Sequence, residues 1–579
     1  MAFFRVWAPR AQRVDVVLGG DARHPLDGPD DRGWFSADVP AAHAGDDYAY
    51  SLDGGDPRPD PRSPWQPHGV HGPSRLVDHA AFPWTDDGWD GGVPLPQAVV
   101  YELHVDTFSP EETYEGVIPK LDHLVDLGIT AVELLPVAEY PGRWGWGYDG
   151  VDLYAPNNLD GGPEGLKRLV DACHGRGLSV ILDVVYNHLG PSGNYLGEYG
   201  PYFTERYGTP WGEAVNLDGA DSDPVREFLV DNALMWLRDY HVDGLRLDAV
   251  HAIVDTSATH ILEELADRVD GLEHELARPK FLIAESDLND PRVVADRAVG
   301  GYGVDAQWSD DFHHALHAVL TGERIGYYAD FGSVAQLAKA LRQAFVYDGG
   351  YSEHRRRRHG RTPVGIPATR FLEYLQDHDQ VGNRAQGERT SMLLPLGLLK
   401  VAAALVLLGP SVPMLFQGEE WGASTPFQYF TDHDDPELGR AVTEGRHREF
   451  ASFGWDPEEV PDPQDPETFR RSKLRWDEVA EPGHADLLDW HRRLIALRRA
   501  TPALTDGRFD DVSVDYDEAA RWLVYTKGPL TVACNLGDRE ATVAVPASSE
   551  PVLASFAEPK VVDGRLALPG QSVVISRAP

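Results

Sequence analysis

The chain has 579 residues, 42% of them hydrophobic and 25% charged, so it is long enough for several domains and can fill a large core. Its 93 acidic and 52 basic residues give a formal net charge of -41, which argues against nucleic acid and anionic membranes as partners and favours neutral or cationic ones. The two cysteines, Cys173 and Cys534, lie far apart and the N-terminus lacks the basic and apolar segments of a secretion signal, so we expect a cytoplasmic location.

Short alternating segments, separated by clusters of Gly, Asp and Pro, run through residues 1–84. They predict an N-terminal β-sandwich module of immunoglobulin-like type, and the turn-rich stretch 85–97 predicts a linker after it.

Strand patterns alternate with helix patterns between residues 98 and 502, which predicts parallel pairing through right-handed crossovers. The strand patterns lie at 99–105, 131–137, 179–185, 244–248, 281–285, 305–308, 371–375 and 413–416. Eight such units predict an α/β fold, a (β/α)₈ TIM barrel with loop insertions such as 186–223 and an active site at the carboxyl ends of the strands. The apolar run 392–416 contains three prolines and a lysine, so it predicts a buried helix, a turn and a strand rather than a membrane span.

The helical periodicity stops after residue 502, and short alternating segments return. We therefore predict a C-terminal β-sandwich over 503–579.

Three stretches of the predicted barrel end on carboxylates: GLRLD at 244–248, FLIAE at 281–285 and FLEYLQDHD at 371–379. Because a charge is costly in a dry interior, these side chains should lie at the rim of the barrel, where substrate and water reach them. Two or three acids brought together in this way are what the cleavage of a glycosidic bond requires. The sequence therefore predicts a sugar-cleaving active site.

The first two acids have different predicted environments. The period of two along a strand puts Arg246 on the same side as Asp248, so the arginine should keep Asp248 ionised, as a nucleophile needs. Glu285 ends an apolar strand, so partial burial should raise its pKa and keep it protonated, as a general acid needs. The alternatives are an ordinary buried ion pair for Asp248 and a capping or solvated side chain for Glu285.

The third stretch contains two acids, Asp377 and Asp379, on either side of a histidine. The period of two places both on one face, so parity does not choose between them. The arginine-rich segment 354–361 precedes this stretch and predicts either a solvated loop or a loop that reaches substrate hydroxyls.

Two further motifs follow other strands. DVVYNH at 183–188 offers Asp183 as a partner for Arg246 and His188 as a ligand for a sugar hydroxyl. GRWGWGYD at 142–149 puts aromatic rings on a glycine-rich loop, where Tyr148 and Asp149 are the better candidates for contact with a sugar.

The motifs DVVYNH, GLRLDAVH (244–251), IAE (283–285) and HD (378–379) occur in the order and spacing of the α-amylase family of retaining glycoside hydrolases, which the chain resembles across its barrel. The resemblance implies that Asp248 is the nucleophile, Glu285 the acid/base and Asp379 the stabiliser of the transition state. It also implies a substrate-binding set and two residues behind it: Tyr148, Asp149, His188, Arg246, His251 and His378, with Asp183 and Asn187. Family members commonly have Asn in place of Asp377. We expect no cofactor and no metal, because this chemistry needs none and no acidic loop has calcium-binding spacing.

Other motifs narrow the resemblance. FRVWAP (4–9) resembles the N-terminal module of branching, debranching and trehalose-releasing members, whereas QWSDDFHHAL (307–316) and QGEEWGASTPF (417–427) resemble the trehalose-releasing group. That group implies hydrolysis of the α-1,4 bond next to the terminal trehalose of maltooligosyltrehalose, with maltooligosaccharides as products and a maltooligosyltrehalose synthase as pathway partner. A 1,4-α-glucan branching enzyme, with the same three acids, is the alternative. A glycogen-binding protein with a decayed barrel has no support, because all three acids are present.

Overall fold

The structure is a computed structural model that describes residues 1–452 and 460–578. Within these residues eight parallel strands close into a barrel, each paired with the next along the chain and the eighth with the first. In order, the barrel strands are Val100–Leu103, Ala131–Leu134, Ser179–Val184, Gly244–Leu247, Phe281–Ala284, Ala306–Trp308, Phe371–Tyr374 and Val412–Phe416. Each predicted strand overlaps one of them, so the predicted (β/α)₈ barrel is confirmed.

Helices connect and surround the strands. The longer ones are Leu121–Leu127, Gly162–His174, Ser222–Asp239, Ile261–Leu276, Asp310–Thr321, Val334–Gln343, Leu396–Leu407, Pro436–Ser452, Pro466–Arg471 and Pro482–Arg499. Short helices lie at Val105–Phe108, Tyr114–Val117, Leu196–Tyr199, His378–Gly382 and Thr390–Leu393. The run 392–416 contains the buried helix Leu396–Leu407 and the eighth barrel strand, as predicted. In the parts of the chain that the structure describes, no helix has the length and apolarity to cross a membrane.

Antiparallel sheets flank the barrel at both ends of the chain. The N-terminal module contains the strands Ala2–Trp7, Val14–Leu18, Ala22–Pro25, Trp34–Val39, Asp47–Leu52 and Ser74–Arg75 in two sheets. The C-terminal strands are Val512–Asp517, Trp522–Lys527, Leu530–Asn535, Ala541–Ala544, Glu550–Ala554, Val561–Val562, Arg565–Leu568 and Ser572–Arg577, in a five-stranded and a three-stranded sheet. The predicted sandwich at each end is thus confirmed. The exact boundaries at 84, 97 and 502 stay predictions, and the predicted barrel range includes 453–459, which lie outside the described residues.

The inside of the barrel has an apolar layer and a charged layer above it. Val100, Ala131, Ile181 and Ile283 pack together in the apolar layer. Side chains alternate along a strand, so the residues two positions further on occupy the next layer towards the carboxyl ends. On the first five strands these residues are Glu102, Glu133, Asp183, Arg246 and Glu285. The alternation of the strands therefore builds a charged floor beneath the mouth of the barrel.

Candidate active site

A cleft of about 600 Å³ opens at the carboxyl ends of the barrel strands. Asp248, Glu285 and Asp379 all line it, although they come from the ends of three different strands. The structure thus brings together the three acids that the sequence singles out. Aromatic and polar side chains complete the wall, among them Trp146, Tyr148, Asp149, His188, Trp211, His251, Asp287, Asn383, Tyr429 and Arg446.

Arg246 lies at the centre of the charged floor and is fully buried. Its Nη1 donates to Asp248 Oδ1 at 2.8 Å and to Asp183 Oδ2 at 2.7 Å, and its Nη2 lies 3.7 Å from Glu285 Oε2. The pairing with Asp183 follows from strand register, because the two residues are partners on the third and fourth strands. The guanidinium of Arg246 therefore lies between two of the three predicted catalytic acids, Asp248 and Glu285, and also binds the buried Asp183.

Asp248 is held in one orientation by several donors. Asn187 donates from Nδ2 to Asp248 Oδ2 at 2.6 Å and to the backbone oxygen of the same residue at 2.9 Å. With Arg246 on Oδ1, both carboxylate oxygens have a donor. An ionised carboxylate accepts such bonds and does not donate, so this environment suits the charged form.

Glu285 has a drier environment. Its Oε2 accepts a hydrogen bond from the backbone N–H of Ala249 at 2.6 Å. Burial raises the pKa of Glu285 well above its usual range, Arg246 opposes that rise, and the negative charge of Asp248 adds to it. This shift favours the protonated form that a general acid needs.

Asp377 and Asp379 differ in placement, although strand parity does not choose between them. The Asp379 side chain is 42% exposed and lines the cleft. Asp377 is buried and caps the helix His378–Gly382, where its side chain accepts a hydrogen bond from the backbone N–H of Gln380 at 2.6 Å. Burial raises the pKa of Asp377 well above its usual range, which favours the neutral form and so resembles the neutral Asn common at this position in the family.

The predicted sugar-binding residues fall into two groups. Tyr148, Asp149, His188 and His251 line the cleft. The His188 ring stacks on Trp211, which belongs to the turn between the strands Phe203–Thr209 and Gly212–Val215 of the predicted insertion. This insertion therefore forms part of the wall.

His378 belongs to the second group, which lies beneath the wall. Its side chain is 1% exposed and its Nε2 lies 2.7 Å from the hydroxyl of Tyr148. Asp183, also buried, accepts a hydrogen bond from the same hydroxyl at 2.6 Å. His378 thus supports Tyr148 from below.

Two tryptophans of the sequence motifs GRWGWGYD and QGEEWGASTPF pack away from the cleft. Trp144 stacks on Phe469, and Trp421 is 1% exposed with its indole N–H on Glu478. The arginine-rich segment reaches the cleft only indirectly, because Arg355 pairs at 2.9 Å with Asp287, which lines it.

Sequence reasoning missed two acids of the floor, Glu102 and Glu133, which are register partners on the first two strands. Each stands in the middle of an apolar strand, VYEL and AVEL, at the inward-facing position. An acid in the middle of a strand that is otherwise apolar was the available signal. Among the described residues, no cluster of three or more His, Cys, Asp or Glu is arranged to hold a metal ion.

Family models match three parts of the chain. They are carbohydrate-binding module 48, the isoamylase N-terminal domain, at residues 1–66; the α-amylase catalytic domain at 104–206; and a domain of unknown function (DUF3459) at 507–575. With the barrel and the cleft acids, they define the chain as a glycoside hydrolase of the α-amylase class.

Similar proteins narrow this class. The malto-oligosyltrehalose trehalohydrolase of Arthrobacter ramosus is 53% identical and the alignment covers 99% of both chains; that of Rhizobium sp. (strain M-11) is 52% identical, covering 94% of this chain and 93% of the relative. The crystal structure of a putative α-amylase from Salmonella typhimurium matches with a TM-score of 0.90 and 40% identity, covering 100% of this chain and 97% of that one. The chain belongs to the malto-oligosyltrehalose trehalohydrolase family.

The rival class is also similar, but less so. The 1,4-α-glucan branching enzyme of Pseudoalteromonas atlantica is 31% identical over 60% of this chain and 54% of its own length. Since the trehalohydrolases match at higher identity over nearly the full chain, the comparison favours them over the branching enzyme.

Proposed function

We propose that this protein hydrolyses the α-1,4-glucosidic bond next to the terminal trehalose of a maltooligosyltrehalose and releases trehalose with retention of configuration. The observation that carries the chemistry is that Asp248 and Glu285 approach one buried guanidinium, that of Arg246, at the floor of the cleft. The family to which the chain belongs supports the choice of substrate.

In the first step Asp248 attacks the anomeric carbon while Glu285 protonates the oxygen of the leaving trehalose. The C–O bond breaks, an ester forms between the sugar and Asp248, and the proton of Glu285 stays on the product. Asp379 stabilises the positive charge that develops on the sugar ring. Support for these roles comes from the donors that hold Asp248 as an anion and from the burial that keeps Glu285 protonated.

In the second step Glu285 removes a proton from water, which attacks the anomeric carbon and releases Asp248. Two inversions leave the new reducing end in the α configuration. Proton NMR of the maltooligosaccharide, recorded before the anomers equilibrate, should therefore show the α anomer first.

Around these acids, we propose that the four cleft residues Tyr148, Asp149, His188 and His251 contact the sugar rings. Flat rings stack on the apolar faces of glucose, and Asp and His exchange hydrogen bonds with hydroxyl groups. The buried Asp183 and His378 hold Tyr148 in place, and the buried Arg246 and Asn187 hold Asp248.

The substrate assignment is tested with maltotriosyltrehalose and maltopentaose, which have the same number of glucose units. We expect trehalose and maltotriose from the first, at a kcat/KM that exceeds the value for maltopentaose. A branching enzyme would instead form new side chains on amylose through α-1,6 bonds and release no trehalose. Absence of trehalose from an enzyme that branches amylose would establish that alternative.

The two acids of the third stretch give a second test. Asp377→Asn should keep kcat/KM within about 2-fold of the wild type, because it exchanges one neutral cap for another. Asp379→Asn removes a charge that faces the substrate and should lower kcat by about 10²-fold or more. Rates of trehalose release from both variants decide the assignment, and equal losses would contradict it.

We also propose a place for the protein in trehalose biosynthesis in the cytoplasm. A substrate capped with trehalose requires an enzyme that makes this end on a maltooligosaccharide, such as a maltooligosyltrehalose synthase, which need not bind this chain. Both cysteines are buried and free, which suits a reducing compartment.

A further inference from the structure

The carboxylate of Glu102, which the predicted mechanism does not use, contacts His378 twice. Oε2 accepts a hydrogen bond from the backbone N–H of His378 at 2.9 Å, and Oε1 lies 2.5 Å from Nδ1 of its ring. Both side chains are 1% exposed. We infer that Glu102 is a positioning residue of the proposed reaction, which keeps the His378 ring doubly protonated and thereby fixes the Tyr148 hydroxyl under the sugar-binding wall.

The Tyr148 hydroxyl carries a single proton, although two groups lie within hydrogen-bond distance of its oxygen. This oxygen lies 2.6 Å from Asp183 Oδ2 and 2.7 Å from His378 Nε2. Burial raises the pKa of Asp183 to about 6, against the effect of Arg246, so at pH 7 it is largely ionised and can only accept. Tyr148 therefore donates to Asp183 and has only a lone pair left for His378.

His378 must then donate from both ring nitrogens. Nε2 faces the lone pair of Tyr148, and Nδ1 faces the carboxylate of Glu102. A neutral imidazole carries one N–H, so two donated bonds require the cation. If the ring lost a proton while its bond to Glu102 remained, Nε2 would compete with Asp183 for the hydrogen of Tyr148.

The groups that face His378 decide whether this cation persists. Asp379 lies 3.7 Å from Nε2, and Asp183 adds a negative charge on the third strand. Burial raises the pKa of Glu133 and of Asp377 well above its usual range, which favours the neutral form of each. Burial also lowers the pKa of His104 to about 4, so that ring is neutral too.

Opposing effects act on the pKa of the His378 ring. Burial lowers its pKa and so does Arg246, whereas Glu102 and then Asp379 raise it, to about 10. Since Glu102 contributes the largest upward effect, its charge sustains the cation at neutral pH. Without the charge of Glu102, burial and Arg246 still disfavour the cation, and the main remaining support is the partly exposed Asp379.

Glu102→Gln tests this inference, which rests on the proposed function only for its kinetic readout. If the pKa of His378 falls to an ordinary value of about 6.5, about 3% of the rings are cations at pH 8, and kcat/KM for maltotriosyltrehalose falls about 30-fold between pH 5 and pH 8 from this cause. The alkaline limb of the profile should therefore move to lower pH than in the wild type. Glu102→Asp keeps the charge and should restore the wild-type limb in part.

Glu133→Gln is the matched control. Glu133 lies beside Glu102 on the neighbouring strand and is equally buried, but burial raises the pKa of its carboxyl group and so favours the neutral form. Its amide variant should leave the shape of the pH profile unchanged. A Glu102→Gln enzyme that is slower by one factor at every pH would overturn the inference, because that is the result of a purely structural role.

A spectroscopic measurement on the wild-type protein removes the dependence on activity. In wild-type protein with ¹³C- and ¹⁵N-labelled histidine, the His378 ring, assigned by its loss in His378→Gln, should show imidazolium shifts from pH 6 to 8.5. A neutral ring at pH 7.5 would overturn the inference whatever the enzyme hydrolyses. Failure of the wild type to release trehalose would instead count against the proposed function and leave the ring measurement valid.

Discussion

Asp248→Asn should lower kcat for maltotriosyltrehalose by about 10⁴-fold or more without unfolding the protein. The amide has the shape of the carboxylate, but it lacks the charge and the nucleophilicity to form an ester with the sugar. Arg246 keeps its bond to Asp183 at 2.7 Å, so the variant does not leave the buried guanidinium without a carboxylate. Trehalose release measures the loss, and a thermal midpoint within about 3 °C of the wild type shows that the fold is intact.

A second variant at the same position tests the role more directly. Asp248→Gly opens space on the face of the sugar that the carboxylate attacks, so azide should restore part of the activity and give the β-glycosyl azide. Asp377→Asn serves as the control for Asp248→Asn, because it makes the same substitution at a buried cap outside the cleft wall. More than about 1% residual activity in a folded Asp248→Asn enzyme would remove Asp248 from the nucleophile role.

The barrel and the Arg246–Asp248 pair could be predicted, because each strand pattern is local in the sequence. Alternation alone placed Arg246 beside Asp248, and strand register then pairs Arg246 with Asp183. The same rule could not separate Asp377 from Asp379. The seventh strand ends at Tyr374 and a helix begins at His378, so the period of two no longer applies where these acids lie.

The placement of a side chain could not be predicted from the sequence where it depends on contacts between distant loops. Trp144 and Trp146 are two positions apart in one loop, yet Trp144 stacks on Phe469 and Trp146 lines the cleft. His378 belongs to a family motif, but its place under Tyr148 depends on its contact with Glu102, 276 positions earlier in the chain. No local pattern encodes such a contact, because it forms only when the barrel closes.

Glu285→Gln should lower kcat for maltotriosyltrehalose by about 10³-fold, because the amide has no acidic proton for the leaving trehalose. A maltotriosyl fluoride of α configuration needs little protonation of its leaving group, so the first step should survive. We expect a burst of one fluoride per active site, followed by slow turnover while the ester awaits an activated water. A fluoride substrate that loses as much rate as the natural one, with no burst, would contradict the acid role.

The pH dependence of this variant follows from the raised pKa of Glu285. In the wild type the protonated form is active in the first step, so kcat/KM falls as the pH rises through that value, and Glu285→Gln should lack this limb. The charge of Asp248, which helps to raise the pKa of Glu285, also explains how Glu285 serves as the acid of the first step and the base of the second. Once Asp248 is an ester, the neighbouring charge that helps to raise the pKa of Glu285 is gone, while Arg246 still lowers it. The acid of the first step thereby becomes a carboxylate that accepts the proton of the attacking water.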